Sequence, residues 1–242
     1  MIIDFCANLG CGPGMLACYD PNDLLSLAKT SGIDITIASD LSSVFGNKEI
    51  NTQPLPDGLI RFASVSTIFD VGRLECAPSI KGIRIYPTYQ AWDFDAPEAI
   101  KLLSLAEDRG WIVQVCLRLQ DPRVLPQAVA SGTVIASLDK LVESHNSVRF
   151  VVSGASYAEI KGNPTPFTRD NVWTEISHLQ HPINSLTKLL DIVDSSRIIF
   201  GSNAPIFYPF SSVFRVMHSP ITDQVRERIL WKNARELLGE SV

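Results

Sequence analysis

Residues 2–10 read Ile-Ile-Asp-Phe-Cys-Ala-Asn-Leu-Gly, an apolar stretch in which every second residue from Asp4 to Asn8 is a polar residue or a thiol. Side chains alternate between the two faces of a β-strand, so Asp4, Cys6 and Asn8 are expected on one face and the apolar residues on the other. This pattern is typical of a barrel strand that is buried on both faces. It predicts a polar site toward the carboxyl end of the strand.

Strand-like apolar runs recur along the chain and alternate with helical stretches. They lie at residues 2–10, 33–38, 60–65, 81–87, 111–117, 148–153, 171–176 and 197–201. No linker interrupts them, so we predict an α/β fold, a single (β/α)8 TIM barrel over residues 1–242, with short or irregular helices after strands 2 and 3. An open doubly wound sheet is the alternative. That fold usually has a GxGxxG phosphate-binding turn after its first strand. Residues 10–14 are rich in glycine but do not have this spacing, which makes the alternative weak.

Charge and hydropathy exclude two classes of partner. The 242 residues have a net charge of −5 and contain no run of lysine or arginine, which argues against nucleic-acid binding. No apolar stretch reaches transmembrane length, and Asp4 and Cys6 interrupt any signal-like apolar run near the start. We therefore expect a cytoplasmic protein with no membrane partner.

The cysteines predict free thiols. Their number is odd, and they are not spaced as CxxC pairs, which makes both a disulfide framework and a zinc site poor interpretations. We expect them to be buried and unpaired. The five residues are Cys6, Cys11, Cys18, Cys76 and Cys116.

A TIM barrel carries its site at the carboxyl ends of the strands, and strand parity predicts which side chains meet there. The expected ligand-binding residues are Asn8, Arg84, Tyr86, Gln114, Arg118 and Asn203, with Cys116 and Glu175 on the same inner face. This set is too polar for a purely structural core. The arginines could form buried ion pairs with Asp4 or Glu175, or they could bind the carboxylate or phosphate of a small anionic ligand.

Six segments together resemble the amidohydrolase-related branch of the amidohydrolase superfamily. They are MIIDFCANLG, KGIRIYPTY, VQVCLRLQDPR, NVWTEIS, RIIFGSNAPIFYP and WKNARELLG, and they extend from Met1 to Gly239. The resemblance implies a TIM barrel. It also implies an activity among metal-dependent hydrolases or decarboxylases of aromatic and unsaturated acids.

The resemblance further implies a divalent metal held by an HxH pair on strand 1, by histidines on strands 5 and 6, and by an aspartate on strand 8. At these positions this sequence has Cys6 and Asn8, Cys116, Gly154, and Asn203. Amide oxygens are weak ligands and glycine offers no side chain, so we expect no metal and no other cofactor. The histidines present are expected in solvated or capping roles; they are His145, His178, His181 and His218.

The leading functional hypothesis is a metal-free relative that binds a small molecule, with an anionic ligand of the carboxylate type. The alternative is an active hydrolase or decarboxylase with an atypical site, in which Cys6 or Cys116 is the nucleophile and Glu175 the general acid or base. A third possibility is a metal-dependent hydrolase with unfamiliar ligands, for example one in which the interior cysteines bind a soft metal. A fourth possibility is a homo-oligomer that forms through the aromatic residues of segment 206–214. The sequence does not identify the ligand or the pathway.

Overall fold

The computed structural model describes residues 1–12, 18–45, 55–65, 71–75 and 80–239. Eight parallel strands form one sheet whose order follows the chain. They are β1 (Ile3–Leu9), β2 (Ile35–Asp40), β3 (Leu59–Val65), β4 (Gly82–Ile85), β5 (Ile112–Cys116), β6 (Arg149–Ser153), β7 (Val172–Glu175) and β8 (Ile198–Ile199). Backbone hydrogen bonds from Phe5 N–H to the Phe200 carbonyl oxygen and from Asn8 N–H to that of Ala204 join β1 to the segment that directly follows β8. The predicted (β/α)8 barrel is confirmed.

Helices connect the strands on the outside of the barrel. They are α1 (Pro21–Thr30), α2 (Ser42–Phe45), α3 (Val71–Glu75), α4 (Pro87–Gln90), α5 (Pro97–Asp108), α6 (Ser131–Ser144), α7 (Tyr157–Gly162), α8 (Ser185–Leu189), α9 (Pro209–His218), α10 (Asp223–Glu227) and α11 (Asn233–Leu238). Those that follow β2 and β3 are short, as expected. The last helical stretch of the chain is divided into α10 and α11 by a π-helical turn at Arg228–Lys232. The described helices include none with the length and apolar character needed to cross a bilayer.

Local sequence explains where α1 begins. The Asp20 side chain accepts hydrogen bonds from the backbone N–H groups of Asn22 and Asp23, and the Asp23 side chain accepts one from the Asp20 backbone N–H. Pro21 occupies the first helical position, where no N–H donor is needed. This capping box fixes the path of the chain after the first βα connection.

Two apolar layers surround the strands. On the outside, alternate residues such as Ile83, Ile85 and Val113 pack against the helices. Inside, the amino-terminal half of the barrel is filled by an apolar floor that includes Phe5, Phe62, Ile112, Val151 and Ile199. The Phe5 and Phe62 rings meet edge to face with their centroids 5.6 Å apart. This floor confines polar side chains to the carboxyl half of the interior.

A β-bulge in β1 corrects the parity that we expected. The pairing with β2 shifts between Asp4 and Ala7, so β1 contains one extra residue there. Phe5, on the floor, and Asn8, which contacts Arg84 inside the barrel, therefore both face inward although they are three residues apart. Asp4 lies on the opposite side of the strand from Phe5, and its carboxylate contacts Ser202. Strict alternation had wrongly grouped Asp4 with Asn8.

The prediction of free thiols is wrong for two cysteines. Cys11 and Cys18 form a disulfide with their Cα atoms 4.5 Å apart, and both residues are exposed. An antiparallel bridge between Gly10 and Tyr19 brings these positions together. Pairing depends on this spatial approach, which cysteine spacing does not reveal. Cys6 and Cys116 are buried and free, as expected, and Cys76 lies outside the described residues.

Candidate functional site

A single arginine occupies the centre of the polar half of the interior. Arg84 is fully buried, and its Nε donates to Gln114 Oε1 at 2.8 Å. Its Nη1 donates to the carbonyl oxygen of Ala7 at 2.9 Å and to Asn8 Oδ1 at 3.2 Å. These partners come from β5 and β1, so the guanidinium reaches across the barrel from β4. All three acceptors are neutral.

Amide side chains extend this network around the barrel. Asn8 Nδ2 donates to Asn203 Oδ1 at 3.0 Å and to the carbonyl oxygen of Ala204 at 3.1 Å. Asn203 Nδ2 donates in turn to the carbonyl oxygen of Leu119. Asn203 has a φ of 58°, a left-handed conformation that asparagine tolerates better than most residues. The two asparagines are therefore held in hydrogen bonds to protein groups.

Gln114 completes the network on β5. Its Nε2 donates to Ser153 Oγ at 2.6 Å and to the Phe5 carbonyl oxygen at 3.0 Å, while its Oε1 accepts from Arg84. Four of the six predicted ligand-binding residues thus lie in one continuous network that crosses the interior. They are Asn8, Arg84, Gln114 and Asn203.

Glu175 occupies a separate buried position at the end of β7. Its Oε1 accepts from the backbone N–H of Gly154 at 2.9 Å and from Ser177 Oγ at 2.8 Å, and its Oε2 accepts from the Ser177 backbone at 2.7 Å. Burial raises the pKa of Glu175, and these hydrogen bonds oppose that effect. A Cβ atom on Gly201 would lie 2.1 Å from Oε2, so only glycine leaves room for this carboxyl group.

Gly154 permits the same packing at the end of β6. Its φ of +80° is in the left-handed region that favours glycine. A Cβ atom there would lie 2.6 Å from the Arg118 carbonyl oxygen and 2.7 Å from the Arg118 nitrogen. These are backbone atoms, which cannot rotate away as the end of a side chain can. Position 154 therefore has no space for a larger residue in this conformation.

Burial disfavours the thiolate form of both interior cysteines. Burial raises the pKa of Cys6 well above its ordinary value and that of Cys116 to about 12. Arg84 lowers the pKa of both thiols and Glu175 raises it, but burial is the larger effect. Thiolate is the nucleophilic form of cysteine, so this environment does not activate either residue.

Three buried polar atoms near Arg84 make no hydrogen bond of good geometry among the described residues. They are Arg84 Nη2, the Tyr86 hydroxyl and Ser64 Oγ. Ser64 of β3 is paired in register with Arg84 of β4, and Tyr86 follows two residues later. Burial raises the pKa of Tyr86, whereas the charge of Arg84 and contacts of the hydroxyl with Ser64 and Arg84 at hydrogen-bond range lower it. The three groups therefore lie side by side and contact one another.

Arg118 does not join the Arg84 network. It follows the end of β5, and its Nη2 binds Glu159 and Ser131. The ion pairs that we considered, from Arg84 or Arg118 to Asp4 or Glu175, are absent from the hydrogen bonds and salt bridges of the described residues. Asp4 instead accepts from Ser202 and from the Cys6 backbone, and burial raises its pKa to about 7.

His178 is the residue that sequence reasoning missed. Its Nδ1 lies 3.0 Å from Ser177 Oγ, its ring packs on Phe207 with the centroids 4.9 Å apart, and its Nε2 is buried. Burial, followed by the charge of Arg118, lowers its pKa to about 3. The expected solvated or capping role is therefore wrong for His178. Its position in the sequence, three residues beyond the inward-facing Glu175, could have indicated that it lies at the mouth of the barrel.

The aromatic segment after β8 divides between two environments. Ile206 packs with Tyr86 and Cys116 at the mouth of the barrel. Phe210 and Phe214, by contrast, are exposed on α9. Only the first part of the segment lines the site.

The sequence pattern of the amidohydrolase family matches residues 71–239. The chain belongs to the amidohydrolase family. This match includes the strands that carry Arg84, Gln114 and Glu175. No curated protein sequence matches the chain.

Solved structures share the fold of this amidohydrolase-family barrel. A 2,6-dihydroxybenzoate decarboxylase from Rhizobium is 12% identical, with a TM-score of 0.72 over 98% of each chain. A 5-carboxyvanillate decarboxylase from Sphingomonas paucimobilis is 11% identical, with a TM-score of 0.71 over 98% of each chain. A dihydroxybenzoic acid decarboxylase from Polaromonas sp. JS666, with bound manganese and the inhibitor 2-nitroresorcinol, is 11% identical, with a TM-score of 0.74 over 98% of this chain and 96% of the other.

The residues of this family member do not fit the metal site that the resemblance implies. Asn8 and Asn203 already bind each other and neighbouring protein groups, and Gly154 has neither a donor atom nor space for one. Cys6 and Cys116 are two buried thiols, and neither is accompanied by a histidine or aspartate at the other positions of the implied metal site. Within the part of the chain that the structure describes, no three His, Cys, Asp or Glu side chains are grouped to hold a metal ion. The central charge of the interior belongs to Arg84.

Proposed function

We propose that this amidohydrolase-family barrel binds a small anionic ligand of the carboxylate type at its mouth without a metal ion. In this proposal the Arg84 guanidinium supplies the positive charge that recognises the ligand. The supporting observation is the cluster of buried polar groups formed by Arg84 Nη2, the Tyr86 hydroxyl and Ser64 Oγ. These groups contact one another, but none has a hydrogen bond of good geometry.

Energetics favour a ligand at these atoms. A buried donor without an acceptor costs about 1–3 kcal/mol, and more when the group is charged. A carboxylate oxygen placed between Arg84 Nη2 and the Tyr86 hydroxyl accepts from both. Hydrogen bonds between ionised groups are about twice as strong as neutral ones. The site thus gains most from an anion.

The charge balance supports the same proposal. Arg84 donates hydrogen bonds to Ala7, Asn8 and Gln114 and also contacts the Tyr86 hydroxyl, and none of these groups is a carboxylate. Glu175 is close enough for Arg84 to lower its pKa, but its oxygens are held by Gly154 and Ser177. Among the described residues, no carboxylate forms a salt bridge with Arg84, so its positive charge would favour an anionic ligand.

Isothermal calorimetry with three probes tests the proposal. The probes are benzoate, 2,6-dihydroxybenzoate and resorcinol, which lacks the carboxylate. We expect the wild type to bind at least one carboxylate probe more tightly than resorcinol. Arg84→Lys should weaken carboxylate binding by roughly tenfold or more, because lysine keeps the charge but loses the planar fork of donors. Arg123→Lys, at an exposed arginine, is the matched control.

Two results would overturn the proposal. One is the failure of both carboxylates to bind, or binding that is unchanged in Arg84→Lys. The other is a stoichiometric transition metal in protein that was purified without an affinity tag.

The alternative, an enzyme with a cysteine nucleophile and Glu175 as acid or base, has less support. Cys6 and Cys116 are free and lie near Arg84, yet burial disfavours the thiolate form of both. Iodoacetamide at neutral pH distinguishes the two functions. If the protein only binds a ligand, we expect iodoacetamide to modify both thiols of the folded protein slowly. Fast and selective modification of one thiol would favour the enzyme.

A further inference from the structure

Ser177 links Glu175 to His178 at the mouth of the barrel. Its Oγ lies 2.8 Å from Glu175 Oε1 and 3.0 Å from His178 Nδ1. Backbone N–H groups of Gly154 and Ser177 also donate to Glu175, and a backbone donor cannot reverse its role. The carboxyl group is therefore arranged as an acceptor, and the Ser177 hydroxyl donates to it.

This direction fixes the proton on the histidine. Because the Ser177 proton points to Glu175, Ser177 Oγ can only accept from His178, so Nδ1 carries the imidazole proton. A neutral imidazole has one donor and one acceptor nitrogen. His178 Nε2 is consequently the acceptor, with a free lone pair.

The acceptor nitrogen of His178, Nε2, is buried and accepts no hydrogen bond from the described residues. Polar atoms at such positions are nearly always paired, with protein, water or a ligand. The charged groups that act on the ring are Arg118, Arg215 and Glu159, of which two are positive. A cationic donor is disfavoured beside two arginines, whereas a neutral hydroxyl group is not.

His178 lies at the same end of the barrel as Arg84. It follows the carboxyl end of β7, Phe207 follows that of β8, and Arg118 follows that of β5. Carboxyl ends of barrel strands together form one mouth. A ligand held there by Arg84 can therefore present a second group to the His178 side.

We propose that His178 Nε2 accepts a hydrogen bond from a hydroxyl group of the ligand bound at the mouth, with Ser177 and Glu175 fixing the tautomer. This makes His178 a specificity-determining residue that favours hydroxyl-bearing anions over the same anions without the hydroxyl. The inference rests on the proposed function, because it assumes an anion bound beside Arg84.

Nitrogen-15 NMR of the imidazole rings tests the tautomer without any ligand. We expect His178 at pH 7 to be neutral, with its proton on Nδ1. Ser177→Ala removes the acceptor of that proton and should produce a mixture of tautomers. A proton on Nε2 in the wild type, or an unchanged spectrum in Ser177→Ala, overturns the inference.

Binding of 2,6-dihydroxybenzoate and benzoate tests the recognition. One neutral hydrogen bond corresponds to a preference of up to roughly tenfold for the hydroxylated probe. His178→Phe retains an aromatic ring against Phe207 and should bind benzoate as the wild type does, without the preference. His218→Phe, at an exposed position, is the matched control and should keep the preference.

The outcomes separate the two proposals. If neither carboxylate binds the wild type, the proposed function fails, and this inference fails with it. If both bind but His178→Phe keeps the full preference, as it would if a buried water filled the site, only the role of His178 is overturned.

Discussion

Arg84 Nη1 and Asn8 Oδ1 are joined by a hydrogen bond of 3.2 Å that spans the barrel from β4 to β1. These strands are not neighbours in the sheet, so the bond ties opposite walls of the barrel together. The resemblance implies a metal ligand at position 8, and here the residue faces a guanidinium. A fixed protein cation thus stands at the centre of the interior.

The first prediction concerns this arginine and stability. Arg84→Met should lower the free energy of unfolding by about 2–5 kcal/mol, because it leaves buried acceptors on Ala7, Asn8 and Gln114 without a donor. Urea unfolding followed by tryptophan fluorescence measures the change. Arg123→Met, at an exposed arginine, should stay within about 0.5 kcal/mol of the wild type. Equal stability of Arg84→Met and the wild type would contradict the structural role of the network.

The second prediction concerns Gly154. Gly154→Ala should destabilise the protein by more than about 1 kcal/mol, because the new Cβ meets the Arg118 backbone and φ is positive. Gly132→Ala is the matched control, since a Cβ there meets no atom within 4 Å and the residue lies in α6. That change should stabilise by about 0.5–1 kcal/mol. Thermal unfolding of both variants in one buffer measures the difference. Equal changes in unfolding temperature would show that position 154 accepts a Cβ atom as readily as position 132.

The third prediction concerns the pH dependence of stability at Asp4. Its folded-state pKa of about 7 lies above the ordinary value of 3.8, so between these values the folded state binds more protons than the unfolded state. The contribution of Asp4 to stability is therefore present below about pH 4 and is lost as pH rises toward 7, by up to about 1.4 kcal/mol per pH unit.

Asp4→Asn should remove this loss. Asparagine keeps an oxygen that accepts from the Cys6 and Ser202 backbone and gains an amide that donates to Ser202 Oγ. The variant should therefore become more stable relative to the wild type as pH increases from 4.5 to 7. Urea midpoints across this range measure the difference, and parallel curves would contradict the raised pKa.

The fourth prediction concerns the Cys11–Cys18 disulfide. It closes a short loop with a sequence separation of 7. The chain-entropy model gives about 2.5 kcal/mol for a loop of this size. Reducing the wild type should lower stability by this amount, whereas the Cys11→Ser, Cys18→Ser double variant should be equally low and insensitive to reductant. Peptide mapping without reduction should recover the linked pair, and a wild type that is indifferent to reductant would argue against the bond.

The sequence predicted the barrel well, because each strand is an apolar run and each major helix has an apolar stripe. Those signals are local. The inward position of Arg84 and Gln114 was also predicted, because β4 and β5 alternate regularly. Asp4 was misplaced because a bulge depends on how β1 pairs with β2, which its own residues do not specify.

The misses at the site have the same origin. Arg118 was assigned to the interior by extending the alternation of β5 past Cys116, where the strand ends. It binds Glu159 of α7 instead, a partner 41 residues away. His178 was dismissed because it lies in a connecting segment, although a segment beyond β7 forms part of the mouth. The positions of Arg118 and His178 thus depend on contacts with residues that are distant in the sequence.

Gly154 and Gly201, described above as the residues that make room around Glu175, also limit which substitutions this part of the barrel accepts. An imidazole at position 154 would collide with the Arg118 main chain, and a Cβ atom at position 201 would displace the Glu175 carboxyl group. Engineering a histidine into position 154 therefore requires a new backbone path around Arg118 as well as the substitution itself. Steric exclusion by two residues without side chains thus shapes the polar interior.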